Sequence, residues 1–352
     1  MLSQIHFFLY TYIKLKRLNL NFKNQGFTLI EILVALALAV LVITPLLGFM
    51  INILDTDRKE QAKTTTEQEI QTALDYIAQE LQQAIYIYDA KGIKAIKNEL
   101  PYPDETDKVP VLVFWKRQFE SEVIDVKVGG SSKGKNDSYV YSLVIYYLMK
   151  NTGNTWSNQF RIARLEIKDG VRDLDNPTKP DGTSNYITSP TKGFQLFDLS
   201  KTSGTLEEKM NAWKKNTTQG YESNTKTPPT LIDYIDKSKD SALQPIDCTT
   251  VFENRAVTDS STSEEKDKAA ALKVPAFDGT HQYSTLTDFN NGSFYACVDA
   301  DADSDKITAK IFIRGNALAR IDENNNTYNA YQAAYFPTVG IQVKGRGRIG
   351  VE

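Results

Sequence analysis

Histidine and cysteine are almost missing from this sequence, with two of each in 352 residues. His6 precedes the long apolar run described below, so His281 is the one imidazole left to the rest of the chain. A histidine-rich metal centre is thereby excluded, and a Ser-His-Asp triad would have to be built on that single residue. Two cysteines, Cys248 and Cys297, cannot make a four-cysteine zinc site. Strong charge of one sign is lacking as well. A formal net charge of −3 offers no electrostatic footprint for nucleic acid, which is not an expected partner. At 41% hydrophobic and 24% charged, the composition is that of a folded chain. No group of residues assembles an active site, and the chain is expected not to be an enzyme.

The charge that is present lies asymmetrically. Residues 1–26 hold Lys14, Lys16, Arg17 and Lys23 and no acid, which leaves −7 on the remainder. From Phe27 to Leu54 the sequence reads FTLIEILVALALAVLVITPLLGFMINIL, with Thr28, Glu31, Thr44 and Asn52 as its polar members. A bilayer needs about 20 apolar residues, so this run is long enough to span one. Basic residues stand before it and Asp55 and Asp57 follow. Positive charge stays cytoplasmic, so the N-terminus is expected inside and the bulk of the chain translocated, anchored by a single pass. An ordinary secretory signal would place small residues after the apolar core, and none of that pattern occurs in LLGFMINILD.

The string KNQGFTLIEILVALALAV (residues 23–40) resembles the N-terminal signal of type IV prepilins and pseudopilins. The resemblance implies a leader of residues 1–26 cut after Gly26 by prepilin peptidase, which then methylates the new amine of Phe27. Glu31 falls at the fifth mature position, where the family carries its glutamate. A carboxylate costs about 2.5–3.5 kcal/mol near the middle of a membrane helix unless it finds a partner. Glu31 stands one helical turn from Phe27, on the face of the freed amine. In a filament a neighbour's amine can neutralise it. The plain alternative is a signal anchor with a glutamate near the membrane face. Pro45 removes one backbone hydrogen bond and is expected to loosen the helix.

Between Gln61 and Tyr88 there is no proline or glycine, and Ile70, Leu74, Ile77, Leu81, Ile85 and Tyr88 recur at helical spacing. One helix is expected from about residue 28 to 88, with residues 27–54 in the membrane and 55–88 amphipathic. Residues 89–352 then form an α+β head, an antiparallel sheet packed on the helix as in pilins. Expected strands are Val111–Lys116, Val123–Val128, Tyr139–Met149 and Phe160–Lys168, then Ile246–Phe252, Ser293–Val298, Ile307–Arg314 and Val339–Lys344. Residues 169–245 read as a loop-rich insertion containing a short helix near Leu206–Lys215, and TDSSTSEEKDKAA (258–270) as an exposed loop. A break into two heads near 200–245 stays open.

YSLVIYYLMKN and FRIARLEIKDGV resemble the core strands of J-type minor pseudopilins of general secretion pathways. With RGNALAR at 314–320, the layout resembles the pseudopilin of the hormogonium polysaccharide secretion system of filamentous cyanobacteria. Those resemblances imply a minor subunit that joins or primes a pseudopilus. Its partners would be other pilins or pseudopilins, an inner-membrane assembly platform and an exported polysaccharide. A minor pilin of a type IV pilus for adhesion or motility is one alternative. A membrane-tethered glycan-binding protein that never polymerises is another.

Asp299, Asp301, Asp303 and Asp305 alternate in CVDADADSDK. Curled into a loop, such a string can supply calcium ligands; Ser304 and Lys310 stand where an EF-hand needs glycine and glutamate. A structural calcium site completed from elsewhere and a solvated acidic turn are both open. Cys248 and Cys297 would pair outside the cytoplasm, closing a loop of about 50 residues that constrains the unfolded chain by roughly 4 kcal/mol. Two buried thiols are the alternative. Gly315-Asn316 reads as a hairpin turn. Arg314, Arg320 and the tail residues Lys344, Arg346 and Arg348 are candidate contacts for an anionic partner.

Overall fold

The computed structural model describes residues 26–103, 106–128, 131–151, 153–180, 182–200, 203–221, 228–252, 255–283, 285–300, 307–322 and 326–345. The chain divides between Asp57 and Arg58 into two compact units. In the first, helix α1 (Leu29–Gln82) begins, and every side chain from Phe27 to Leu54 is exposed. A helix apolar on all sides and buried against no protein is what a bilayer accommodates, and α1 is long and apolar enough to cross one. Pro45 lies inside α1, with Thr44 Oγ1 donating to the Val40 carbonyl at 2.8 Å.

In the second unit the last turns of α1 bury Ile70, Ala73, Leu74, Ile77, Ala78 and Leu81. The helix stops at Gln82, six residues before the expected end. Ala84–Ile87 instead forms strand β1, paired antiparallel with β2 (Lys108–Val128). The run AIYIY is β-branched and aromatic, and an unpaired edge on β2 satisfies its backbone better than another helical turn. Helix α2 (Ala90–Ile96) follows, capped by Asp89.

β2 pairs in turn with β3 (Ser131–Met149), β3 with β4 (Phe160–Lys168), and β4 with β7 (Thr230–Ile235), all antiparallel. The two expected strands 111–116 and 123–128 are one strand, irregular between Glu120 and Ile124 and again beside Pro110, which cannot donate to the ladder. A two-stranded ribbon, β5 (Val171–Arg172) with β6 (Tyr186–Thr188), and the short α3 (Leu206–Asn211) lie in the long connection before β7. A second antiparallel sheet has the order β11 (Thr338–Lys344), β10 (Thr308–Arg314), β9 (Phe294–Asp299) and β8 (Lys273–Val274). The fold is α+β, a long N-terminal helix followed by antiparallel sheets. One buried cluster joins the helix stripe to both larger sheets.

Two further expected features are corrected. Residues 263–271 form helix α4, opened by a reciprocal cap between Thr262 and Glu265 whose Thr-x-x-Glu spacing is present in the sequence amid an otherwise polar, loop-like run. Ile246–Phe252 is not a strand; Cys248–Thr250 is a 3₁₀ turn opened by Asp247, whose carboxylate accepts the Thr249 N–H at 2.9 Å.

Helix α4 is tied down through His281, which is 5% exposed and stands between two acids. Nε2 lies 2.9 Å from Asp267 of α4, and Nδ1 contacts Asp278. Burial alone would lower the imidazole; the bonds to Asp278 and Asp267 outweigh it and raise it above its ordinary 6.5. A raised folded value means the stabilisation is complete below 6.5 and lost as pH rises through the folded value. Thermal melts of the full chain in detergent should therefore show stability declining as pH rises through the raised folded value, a slope that His281→Asn flattens. Parallel slopes in variant and wild type would contradict this.

Candidate processing and assembly site

Gly26 precedes the helix in open coil, and a Cβ added there would meet no atom of the described residues within 4 Å. The chain's own packing places no demand for glycine at that position. Phe27 is 79% exposed. Thr28 is the residue from which α1 starts, its carbonyl accepting the Ile32 N–H at 3.2 Å. Its hydroxyl accepts the Glu31 N–H at 3.3 Å, and Glu31 Oε2 accepts the Thr28 N–H at 3.2 Å. T-L-I-E is thus a reciprocal capping box, satisfying two donors that the first turn of a helix otherwise leaves without partners. The sequence carried this signal in its Thr-x-x-Glu spacing, and the family resemblance drew attention to Glu31 alone. Glu31 therefore has an intrachain role besides any role between chains. Both roles sit on an exposed apolar surface from which Gly26, Phe27 and Glu31 are reachable.

Residues 21–47 match the family model described as the prokaryotic N-terminal methylation motif. The match supports a pilin-type protein with a prepilin-like N-terminus. No curated protein and no solved structure matches the chain.

The remaining candidates lie apart. Cys248 and Cys297 are bonded, with Cα atoms 5.4 Å apart, joining the 3₁₀ turn to β9. Asp299, at the end of β9, receives both Nε (3.2 Å) and Nη2 (2.9 Å) of Arg255. That guanidinium holds the carboxylate a calcium ion would need, while Asp301, Asp303 and Asp305 lie outside the described residues. Among the described residues no three of His, Cys, Asp and Glu form a metal-binding group.

RGNALAR is a structural strap rather than a turn. Arg314 is buried, with Nε on Asp236 at 2.9 Å and Nη2 on the Asn291 carbonyl at 2.6 Å. A Cβ on Gly315 would lie 2.4 Å from Thr66 Cγ2, so only glycine lets the strand end approach α1. Asn316 is buried, donating to the Asn326 carbonyl at 2.7 Å. Arg320 donates to Thr66 Oγ1 at 2.9 Å and pairs with Glu69. β10 and β11 do pair, yet the connection between them runs from Gly315 to Pro337. Arg346 and Arg348 lie outside the described residues.

Residues 129–135 have the G-x-x-x-x-G-K spacing and 130–134 the G-x-S-x-G spacing. Neither precedes a helix, since Ser131 onward is β3, and both motifs require a strand-to-helix turn.

Proposed function

We propose that the chain is a minor pilin-like subunit, processed by prepilin peptidase between Gly26 and Phe27 and methylated on the new amine. The single apolar helix holds it in the inner membrane with the N-terminus cytoplasmic and residues from Arg58 onward translocated. In the assembled filament Glu31 pairs with a neighbouring subunit's terminal amine, and assembly proceeds with other pilins or pseudopilins on an inner-membrane platform. The observation that carries this reading is the capped first turn of α1 beginning two residues after Phe27, on a helix whose apolar side chains have no protein cover. The bulk of the second unit favours a subunit used once or a few times, since such volume is hard to repeat at every position of a filament. Within this class we place it with J-type pseudopilins, in a system that exports polysaccharide.

Coexpression with a prepilin peptidase tests the reading. The wild-type chain should lose its leader, while Gly26→Ala stays full length because the peptidase must approach a residue without a side chain. Melting curves of the two should coincide, given the open space around Gly26. Equal lengths with and without the peptidase would overturn the assignment.

A further inference from the structure

At one end of the five-stranded sheet, β3 ends, β4 begins and β7 ends side by side, with Met149 opposite Arg161 and Phe160 opposite Ile235. The segments leaving these strands enclose a cleft of about 260 Å³ lined by Lys150, Asn151, Asn158, Gln159, Phe160, Lys237, Lys239 and Asp288. Three lysines face one aspartate. Asp288 takes Lys150 at 2.7 Å and Lys239 at 2.6 Å, so the single acid is shared between two cations. Lys237 donates instead to the Asn158 carbonyl at 2.5 Å. The cleft keeps an excess of positive charge that no carboxylate lining it offsets.

Its other walls are not those of a simple anion hole. Phe160 supplies an apolar side, stacked on Phe289 at 5.2 Å. Gln159 is 1% exposed; its Oε1 accepts from Asn316, and its Nε2 has no acceptor among the described residues. A buried donor without a partner costs free energy, and here it lies beneath the cleft floor, out of a ligand's direct reach. Trp156, 42% exposed, lies beside the cleft rather than in its lining, with the Arg161 guanidinium 6.0 Å from its ring centroid. The segment carrying it is held in place beforehand. Asn151 Nδ2 donates to the carbonyls of Gly153 (2.6 Å) and Trp156 (2.9 Å), and Ser157 donates to Asp233 through N–H (2.8 Å) and Oγ (2.7 Å). Such preorganisation lowers the entropy cost of binding.

We infer that this cleft binds an acidic sugar unit of a glycan chain, its carboxylate on the lysines, a hydroxyl on the Asn158 side-chain amide and its ring against Trp156. A volume this size, at the lower limit of small-molecule pockets, suits one sugar residue with the chain continuing past Trp156. The inference does not depend on filament assembly.

Titration of the full-length protein in detergent with a glucuronate tetrasaccharide, a neutral glucose tetrasaccharide and inorganic phosphate tests it. The acidic tetrasaccharide should bind, and the neutral one and phosphate should each bind at least about tenfold more weakly. Lys237→Glu with Lys239→Glu should abolish acidic binding, and Trp156→Ala should weaken the tetrasaccharide while leaving phosphate unchanged. Lys239 makes an exposed ion pair, so Lys239→Gln alone should weaken acidic binding while leaving the melting temperature nearly unchanged, which separates lost binding from any loosening caused by removing Lys237. Equal binding of neutral and acidic sugars would overturn the proposal, as would phosphate binding as tightly as the tetrasaccharide or charge-reversed variants that bind as wild type.

Discussion

Glu31→Ala should leave membrane insertion and leader cleavage intact while reducing crosslinking to other pilins at least about tenfold, equivalent to 1.4 kcal/mol. The capping box introduces a rival explanation, because alanine also removes the acceptor for the Thr28 N–H. Glu31→Gln separates the two roles. Glutamine can still close the box, yet it carries no charge to pair with a neighbour's amine. If both variants fail to assemble, the charge is the requirement. If Glu31→Gln assembles like wild type, the residue acts by capping its own helix and the intersubunit pair is wrong.

Glu80→Ala should cost the folded second unit about 3–5 kcal/mol, the range for leaving partners of a buried ion pair uncompensated. Glu80 lies near the end of α1 and is buried against the sheet. Its Oε1 receives Lys116 at 2.6 Å and Arg164 Nη2 at 2.6 Å; Oε2 receives Arg164 Nε at 2.8 Å and the Tyr146 hydroxyl. Burial alone would push this carboxyl up, but the bonds from Arg164, Lys116 and Tyr146 outweigh it and hold it at about 2. A depressed folded value means the contribution is complete above the ordinary 4.5 and lost as pH falls toward about 2. Acid titration of the melting temperature should therefore fall less steeply over that interval in Glu80→Gln than in wild type. Identical acid profiles would show that the cluster does not tie the helix to the sheet.

How much of this was legible in the sequence depended on whether the signal was local. The strand Phe160–Lys168 agrees with its expected bounds, and β10 and β11 agree to within one residue, because alternation and β-branching are local properties. The end of α1 was misplaced because Ile85 and Tyr88 continue the helical spacing by chance, while the deciding partner, β2, lies some thirty residues on. β7 was missed because TLIDYI is short and sits in a polar stretch, where its pairing with β4 is what makes it a strand. Gly315-Asn316 looked like a turn; its reason for glycine is Thr66, across the fold. Asp299 has a partner that its sequence neighbours do not show, Arg255, distant in the chain. The cleft at the end of the sheet gathers residues from three separate segments, and no spacing in the sequence announces it.

The most direct test of the central claim is the N-terminus of the protein isolated from cells that contain a prepilin peptidase. Intact-mass analysis and N-terminal peptide sequencing should find a chain beginning at Phe27, carrying one methyl group on its amine, with the apolar helix retained. A chain that still begins at Met1, or one cut beyond Leu54 with the helix removed, would contradict it.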